Sequence, residues 1–332
     1  MNTFPVISSI ISPVAIASFV SNKYRLSEGT TCRLLKTGIN HTYRIDDGSD
    51  SFIFRIYSFN WRTKEEINEE IKLLNLLREN KISVSYPIED NDKEYIQEIE
   101  APEGKRFAVL FSFAPGNKIL NFSSETHFEI GKQLAAIHKL TKNLRQKRIT
   151  YDSEILLNKS LEHIRRFLPN DTKEMEFLVN TKSLLEQEIT NAQITSIRQG
   201  IVHLDVWFDN FNVSENNTIT LFDFDFCGNG WLCLDIAYYV MQVYSTEKIE
   251  TERKQKLKSF FQGYDSIEVI TNEEKRLLPT LGVCLYYFYL GVQCSRFDNW
   301  SNTFINEVYM KRFVDVLIKG YYEMTKNGIQ LD

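Results

Sequence analysis

One stretch of the chain concentrates side chains suited to phosphoryl transfer. It reads His-Leu-Asp-Val-Trp-Phe-Asp-Asn from His203 to Asn210, with the carboxylate of Asp205 five residues before the carboxamide of Asn210. A second carboxylate, Asp223, follows thirteen residues after Asn210. Moving a phosphoryl group to a hydroxyl needs a base beside that hydroxyl and oxygen ligands that hold Mg²⁺ on the nucleotide phosphates. Asp205 suits the first role, and Asn210 and Asp223 suit the second.

Short β-like segments on both sides of this stretch would bring the three side chains together. Residues 200–202 precede it, and residues 211–213 and 218–226 follow it as a predicted hairpin. A tight loop of five residues can turn two side chains toward one cavity, and the hairpin would return Asp223 beside them. The alternative is a polar turn with an Asx cap and a buried histidine, which would have no chemistry.

The chain before this region is rich in predicted strands. Thr63 opens the one strong helix there, because acidic residues follow in its first turn and apolar residues recur at helical spacing. The dipeptide Pro115-Gly116 breaks the pattern, so we divide the chain into an N-terminal lobe, residues 1–113, and a C-terminal lobe, residues 114–332. The predicted strands of the first lobe are 32–35, 42–45, 51–57, 95–99 and 107–113.

The second lobe is predicted to be mainly helical, with the β-hairpin as an insert. A further helix is expected near the start of the chain, at 14–20, where Ser12 would be the N-cap and Pro13 the first helical residue. The expected class is α+β, a small sheet with one helix followed by a larger helical lobe. The predicted helices of the second lobe are 128–140, 153–168, 175–194, 236–244, 247–264, 272–296 and 302–326.

The stretch from His203 to Asn210 resembles the catalytic loop of the aminoglycoside phosphotransferase and choline kinase family, relatives of the eukaryotic protein kinases. That loop is commonly H-G-D-x-x-x-x-N, and Leu204 stands here at the glycine position. Phe222-Asp223-Phe224 is similar to the family's metal-binding motif, and Asp235-Ile236-Ala237 to the tail that follows it. The resemblance implies a loop-buttressing role for Asp235, and a catalytic group made of His203, Asp205, Asn210 and Asp223 in which the last two are metal ligands.

The resemblance extends upstream to features that bind the nucleotide. Arg55 lies on the strand that would present a cation to the phosphates, and Glu70 or its neighbour Glu69 would pair with it. A plain hairpin turn and an exposed strand arginine are the alternative explanations of these features. The other expected nucleotide contacts are a phosphate-covering turn with Gly38, Asn40, His41 and Thr42, and a purine-binding backbone at Ser112, Phe113 and Ala114.

The resemblance therefore implies a two-lobed, protein-kinase-like fold that uses ATP and Mg²⁺, with the nucleotide between the lobes. The γ-phosphoryl group would pass to a hydroxyl of a small molecule, namely an amino alcohol, a sugar, an amino acid or an antibiotic. A protein acceptor is the alternative, since residues 55–61 with Glu69-Glu70 are similar to the bacterial stress-response Ser/Thr kinases. A non-catalytic pseudokinase is a third hypothesis, and the presence of Asp205, Asn210 and Asp223 together argues against it.

Other chemistry-bearing residues have simpler explanations. His138 is expected to be a packed core histidine, and the role of Asp225 stays open between metal support and binding of a cationic acceptor. An aromatic series at helical spacing predicts core packing, with an acceptor pocket or an amine cage as the alternative. Its members are Tyr238, Tyr239, Tyr286, Tyr287, Tyr289 and Trp300.

Composition limits the partners. The 332 residues include 39 basic and 44 acidic side chains, and a net charge of −5 argues against a nucleic-acid or membrane-surface partner. The cysteines number five, without a C-x-x-C pair, which predicts reduced thiols and a cytoplasmic location. The apolar run at 281–292 is too short to span a bilayer and predicts a buried helix.

Overall fold

The computed structural model describes residues 4–119, 121–192, 196–297 and 304–329. The chain divides into two compact units, one of Met1–Pro115 with Arg296–Asn302 and one of Gly116–Ser295 with Thr303–Asp332. The α+β class expected from the sequence is confirmed, with the sheet in the first unit and most helices in the second.

The first unit is built on an antiparallel sheet whose five strands, numbered along the chain, lie in the order β1-β2-β3-β5-β4, and along the second strand every other side chain is buried. A helix precedes the sheet and packs on one face of it, where Ile16 and Val20 join Tyr43, Phe54 and Ile56 in a common core. The elements are α1 Pro13–Tyr24, β1 Thr31–Thr37, β2 His41–Asp46, β3 Ser51–Ile56, α2 Lys64–Glu79, β4 Ile96–Ala101 and β5 Gly104–Ser112.

Both predicted helix starts in this unit are found. Pro13 is the first residue of α1 and Ser12 its N-cap, although within the described residues the Ser12 side chain makes no capping bond. Thr63 caps α2 with a full capping box, in which its hydroxyl accepts from the Glu66 amide and the Glu66 carboxylate accepts from the Thr63 amide. This cap fixes the start of α2, and therefore the direction in which its inner face points.

The second unit is mainly helical and carries two small β-pairs. The chain enters it at Gly116, where φ is +93° and a Cβ atom would lie 2.4 Å from the Val213 backbone, so only glycine fits. The helices are α3 Ser124–Thr141, α4 Ser160–Ile164, α5 Lys173–Thr190, α6 Cys233–Thr246, α7 Glu250–Asp265, α8 Asn272–Ser295, α9 Glu307–Phe313 and α10 Gly320–Thr325. π-Helical turns at Glu154–Lys159 and Val314–Lys319 precede α4 and α10.

The strands of the second unit are β6 Gln199–Val202, β7 Phe211–Val213, β8 Ile219–Leu221 and β9 Gly228–Trp231. The predicted β7–β8 hairpin forms, but the expected single strand over 218–226 is wrong. Asp223 adopts a left-handed conformation, with φ 66° and ψ 62°, which ends the strand and starts a 3₁₀ turn over Phe224–Phe226. The chain then forms β9, which pairs with β6 and which the sequence pattern did not indicate.

Two predicted helices run past the described residues, since residue 194 and residues 302–303 lie outside them. The apolar run at 281–292 belongs to α8, as expected of a buried helix. Within the described part of the chain α8 is the one helix long and apolar enough to cross a membrane, and 78% of its apolar window is buried inside the protein.

Candidate active site

The loop that follows β6 is held by one buried carboxylate. Asp235, at the start of α6, accepts the backbone N–H of His203 at 2.8 Å and that of Leu204 at 2.6 Å. Its Oδ2 also lies 3.0 Å from Nε2 of His138, whose Nδ1 is 2.7 Å from the Tyr264 hydroxyl. Asp235 and His138 are both fully buried. Asp235 therefore stabilises the loop backbone, and His138 is a core histidine that orients Asp235.

Leu204 shows why this support is needed. Its φ is +64°, a left-handed conformation that suits the glycine usual in the resembled motif better than a leucine. The side chain is completely buried, and the Leu204 carbonyl accepts the hydroxyl of Tyr289. The hydrogen bonds to both Leu204 backbone groups, together with burial of its side chain, compensate the conformational cost.

His203 is a positioning residue, which corrects its placement among the catalytic residues. Its ring is buried, packs on Phe224 with centroids 4.4 Å apart, and has both nitrogens engaged. Nδ1 accepts the N–H of Asp205 at 3.1 Å, so Nε2 is the protonated nitrogen and donates to the Phe222 carbonyl at 3.2 Å. The imidazole thus ties the loop to the end of β8 and is not presented to a substrate.

Asp205 is half-buried, and its carboxylate accepts hydrogen bonds from two side chains. Nδ2 of Asn210 donates to Oδ2 at 2.8 Å and to the Asp205 carbonyl at 3.0 Å. The hydroxyl of Tyr238, on α6, donates to Oδ1 at 2.6 Å. A carboxylate held in one orientation by two donors is suited to accept a third proton donor from a substrate.

The β7–β8 hairpin brings Asn210 and Asp223 to the same end of its two strands. Phe211 pairs with Leu221, and beyond that pair the Phe222 N–H donates to the Asn210 carbonyl at 3.0 Å. Asp223 is the next residue and is half-buried. Since Nδ2 of Asn210 is used by Asp205, its Oδ1 is the atom left for another ligand.

This donor set fits a divalent cation of the Mg²⁺ type. Asn210 offers an amide oxygen and Asp223 a carboxylate, both hard oxygen ligands, and Mg²⁺ in such sites takes one or two protein oxygens and completes its shell with phosphate oxygens and water. The described residues contain no cluster of three His, Cys, Asp or Glu side chains that could hold a metal without such help.

The predicted phosphate-binding arginine lies in the first unit. Arg55 on β3 is buried, and its NH1 lies 2.7 Å from Oε1 of Glu70 on α2. The Tyr57 hydroxyl donates to the other carboxylate oxygen at 3.0 Å, and the guanidinium lies 4.8 Å from the centroid of the Phe111 ring. Glu69 instead pairs with the exposed Lys72, so Glu70 is the partner of Arg55 and the open choice between the two is settled.

Two side chains of the predicted phosphate-covering turn lie on opposite faces of the sheet. Thr42 lies directly opposite Arg55, so their side chains share a face, whereas His41 lies opposite Ile56 on the core face. The Asn40 side chain accepts the Ser58 N–H at 3.3 Å, and Gly38 donates its N–H to the Asn40 carbonyl at 3.1 Å.

His41, expected in the phosphate-covering turn, therefore lies on the core face of the sheet and not on the face of Arg55. Burial, together with the positive charge of Arg106, lowers the pKa of the His41 imidazole to about 4, so the ring is neutral at physiological pH. Its side chain belongs to the core face of the sheet with Tyr43 and Ile45.

The first residue of the expected purine-binding backbone is engaged within its own unit. The N–H of Ser112 donates to the Tyr86 carbonyl at 2.8 Å, and its carbonyl accepts the Ser85 hydroxyl at 2.6 Å. The purine-binding role of Ser112, Phe113 and Ala114 stays a prediction.

Some residues of the aromatic series pack in the core, and others contact the catalytic loop. Tyr286 and Tyr287 are buried core residues, and the Tyr239 hydroxyl is 2.7 Å from Nδ1 of the buried His127, whereas Trp300 lies outside the described residues. Tyr238 and Tyr289 contact the catalytic loop, a role the sequence did not reveal. Asp225 is buried, and its carbonyl accepts from Arg148.

We expect Glu70→Gln to lower the free energy of unfolding by about 2–3 kcal/mol, because it leaves the buried Arg55 guanidinium without its counter-charge. The matched control is Glu69→Gln, which breaks an ion pair to a lysine that is 72% exposed and should cost under about 1 kcal/mol. Urea unfolding of both variants measures the difference. Equal losses in the two variants would show that the Arg55–Glu70 pair has no special structural role.

The two units and the loop they contain define a protein-kinase-like fold. Solved structures with this fold include a microcompartment-associated aminopropanol kinase, with a TM-score of 0.77 and 21% identity over 96% of this chain and 100% of that one. An amicoumacin kinase in complex with AMP-PNP and Ca²⁺ gives a TM-score of 0.76 at 19% identity, over 95% of this chain and 98% of that one.

Residues 31–270 match the model of the phosphotransferase enzyme family (APH), so the chain belongs to that family. The predicted family resemblance is thereby confirmed, and the protein is a phosphotransferase with an alcohol group as acceptor. Among sequence relatives, a homoserine kinase of Agrobacterium fabrum is 24% identical over 85% of this chain and 84% of that protein.

Proposed function

We propose that this phosphotransferase moves the γ-phosphoryl group of ATP, with Mg²⁺, to the hydroxyl of a small amino alcohol. The observation that carries the proposal is the Asp205 carboxylate, held at 2.6 and 2.8 Å by Tyr238 and Asn210 on a loop whose neighbouring hairpin supplies Asp223. A base in a fixed orientation beside two hard oxygen ligands is the arrangement that phosphoryl transfer needs.

Each residue has a defined part in this reaction. Asp205 accepts the hydrogen bond of the attacking hydroxyl, orients it and takes its proton as the oxygen–phosphorus bond forms. The bond between the γ-phosphorus and the bridging oxygen of the β-phosphate breaks, and ADP leaves. Asn210 and Asp223 would hold the cation, which when bound neutralises charge on the phosphate oxygens. Arg55, kept in place by Glu70 and Tyr57, would bind phosphate oxygens. Positioning and charge neutralisation account for most of the rate gain.

The acceptor class is inferred from two sources. Homoserine and aminopropanol, the compounds named for a relative and a structural neighbour, both carry a hydroxyl and an amine. In this chain the carboxylate of Asp205 and the half-buried ring of Tyr289, whose centroid is 5.3 Å from that of Tyr238, lie at the loop, and a carboxylate beside an aromatic face favours an ammonium group.

A panel of acceptors tests the proposal. The protein is incubated with ATP and Mg²⁺ and with amino alcohols, hydroxy amino acids, sugars, an aminoglycoside or a Ser/Thr peptide, and each acceptor is read by mass spectrometry. We expect an amino alcohol or hydroxy amino acid to gain one phosphoryl group with matching ADP release. Phosphorylation of the peptide alone would indicate a protein kinase, and ATP binding without turnover on any acceptor would indicate a scaffold.

A further inference from the structure

Two residues on one turn of α6 hold the catalytic loop, one through the loop backbone and one through a loop side chain. Asp235 and Tyr238 are three residues apart and so lie on the same face of the helix. Asp235 fixes the loop backbone through the amides of His203 and Leu204, and Tyr238 reaches the side chain of Asp205. The backbone and the carboxylate of the loop are thus oriented by one rigid element.

Two hydrogen bonds restrict the rotation of the Asp205 carboxylate. Tyr238 donates to Oδ1 at 2.6 Å, and Asn210 donates to Oδ2 at 2.8 Å. The rotation of the carboxylate about its Cβ–Cγ bond decides where its acceptor directions point, and without the hydroxyl of Tyr238 only Asn210 of these two donors would set it.

The Tyr238 hydroxyl is itself well placed. The side chain is 4% exposed, and its ring lies against that of Tyr289, whose hydroxyl donates to the Leu204 carbonyl. Burial, and secondarily the charge of Asp205, raises the pKa of Tyr238 well above its usual value, so the phenol stays protonated and remains a donor.

We infer that Tyr238 is a positioning residue for the base, orienting the Asp205 carboxylate toward the acceptor hydroxyl. This inference rests on the proposed function, in which Asp205 is the base.

Tyr238→Phe keeps the ring and removes the donor. We expect kcat to fall by about 10- to 100-fold, as for loss of a hydrogen bond to a charged group, while the KM values for acceptor and ATP stay within about 3-fold. The matched control is Tyr239→Phe, which removes an equally buried hydroxyl bonded to His127 and should leave kcat unchanged.

A second variant separates loss of the hydroxyl from misfolding of Tyr238→Phe. Replacing Tyr238 with 3-fluorotyrosine keeps the hydroxyl as a donor, so kcat should stay within about 3-fold of the wild type. The inference is overturned if kcat of Tyr238→Phe equals that of the wild type, if Tyr239→Phe gives the same loss, or if the fluorinated protein loses as much kcat as Tyr238→Phe.

A readout without turnover separates this inference from the proposed function. In ¹³C NMR of the labelled protein at one pH, the resonance of the Asp205 carboxyl should shift in Tyr238→Phe and keep its position in Tyr239→Phe. If no acceptor is phosphorylated but the resonance shifts, the proposed function fails and the contact between Tyr238 and Asp205 stands as inferred. If transfer is observed and neither the resonance nor kcat changes, the inference alone fails.

Discussion

Asp205→Asn is expected to lower the rate of phosphoryl transfer by about 10²- to 10⁴-fold while leaving nucleotide affinity within about 3-fold. The substitution keeps the size of the side chain and removes the negative charge and the basicity that the attacking hydroxyl needs. Asn210 and Asp223, the proposed metal ligands, are unchanged, so the Mg–nucleotide complex should still bind. Single-turnover transfer and calorimetric titration with AMP-PNP measure the two quantities separately.

The same loop supplies the control for this prediction. Asp209 is also an aspartate of the loop, but its carboxylate pairs with Lys118, whose side chain is 52% exposed. Because exposed ion pairs contribute little, Asp209→Asn should keep transfer within about 3-fold of the wild type. Undiminished transfer in Asp205→Asn, or equal losses in the two variants, would show that Asp205 is not the base.

Asp223→Asn should weaken Mg-dependent nucleotide binding by about 100-fold, since metal coordination of phosphates contributes several kcal/mol. The affinity measured without Mg²⁺ should change little, because the carboxylate acts through the cation. Calorimetric titration with AMP-PNP, with and without Mg²⁺, gives both values. Asp205→Asn serves as the control and should retain the full effect of Mg²⁺. An unaltered Mg²⁺ dependence in Asp223→Asn would remove this residue from the metal site.

The parts of the site that are local in sequence could be predicted from it. The spacing of Asp205 and Asn210 fits a tight loop, and the β7–β8 pairing that returns the chain to Asp223 follows from two short β-like segments. The start of α2 was equally readable, because Thr63 and Glu66 form a cap whose signal lies within four residues. Local hydrogen bonding determines these features, so a local pattern is sufficient to find them.

The remaining features depend on contacts between distant segments. Tyr238 looked like one member of an apolar stripe, and only the packing of α6 against the loop brings its hydroxyl to Asp205. Neither periodicity nor composition distinguishes Glu69 from Glu70, because both are buried on α2 and only one faces Arg55. The face of the sheet on which His41 lies was hidden for a related reason, since the resemblance gives its position along the strand and the register of β2 with β3 decides its face.

The most direct measurement for the central claim is the anomalous scattering of Mn²⁺ in crystals of the protein with AMP-PNP. Mn²⁺ accepts the same oxygen ligands as Mg²⁺ and can be located by its anomalous signal. We predict a metal peak about 2.1 Å from Oδ1 of Asn210 and from a carboxylate oxygen of Asp223, on the phosphates of the bound nucleotide. A nucleotide whose metal contacts neither residue would contradict the account.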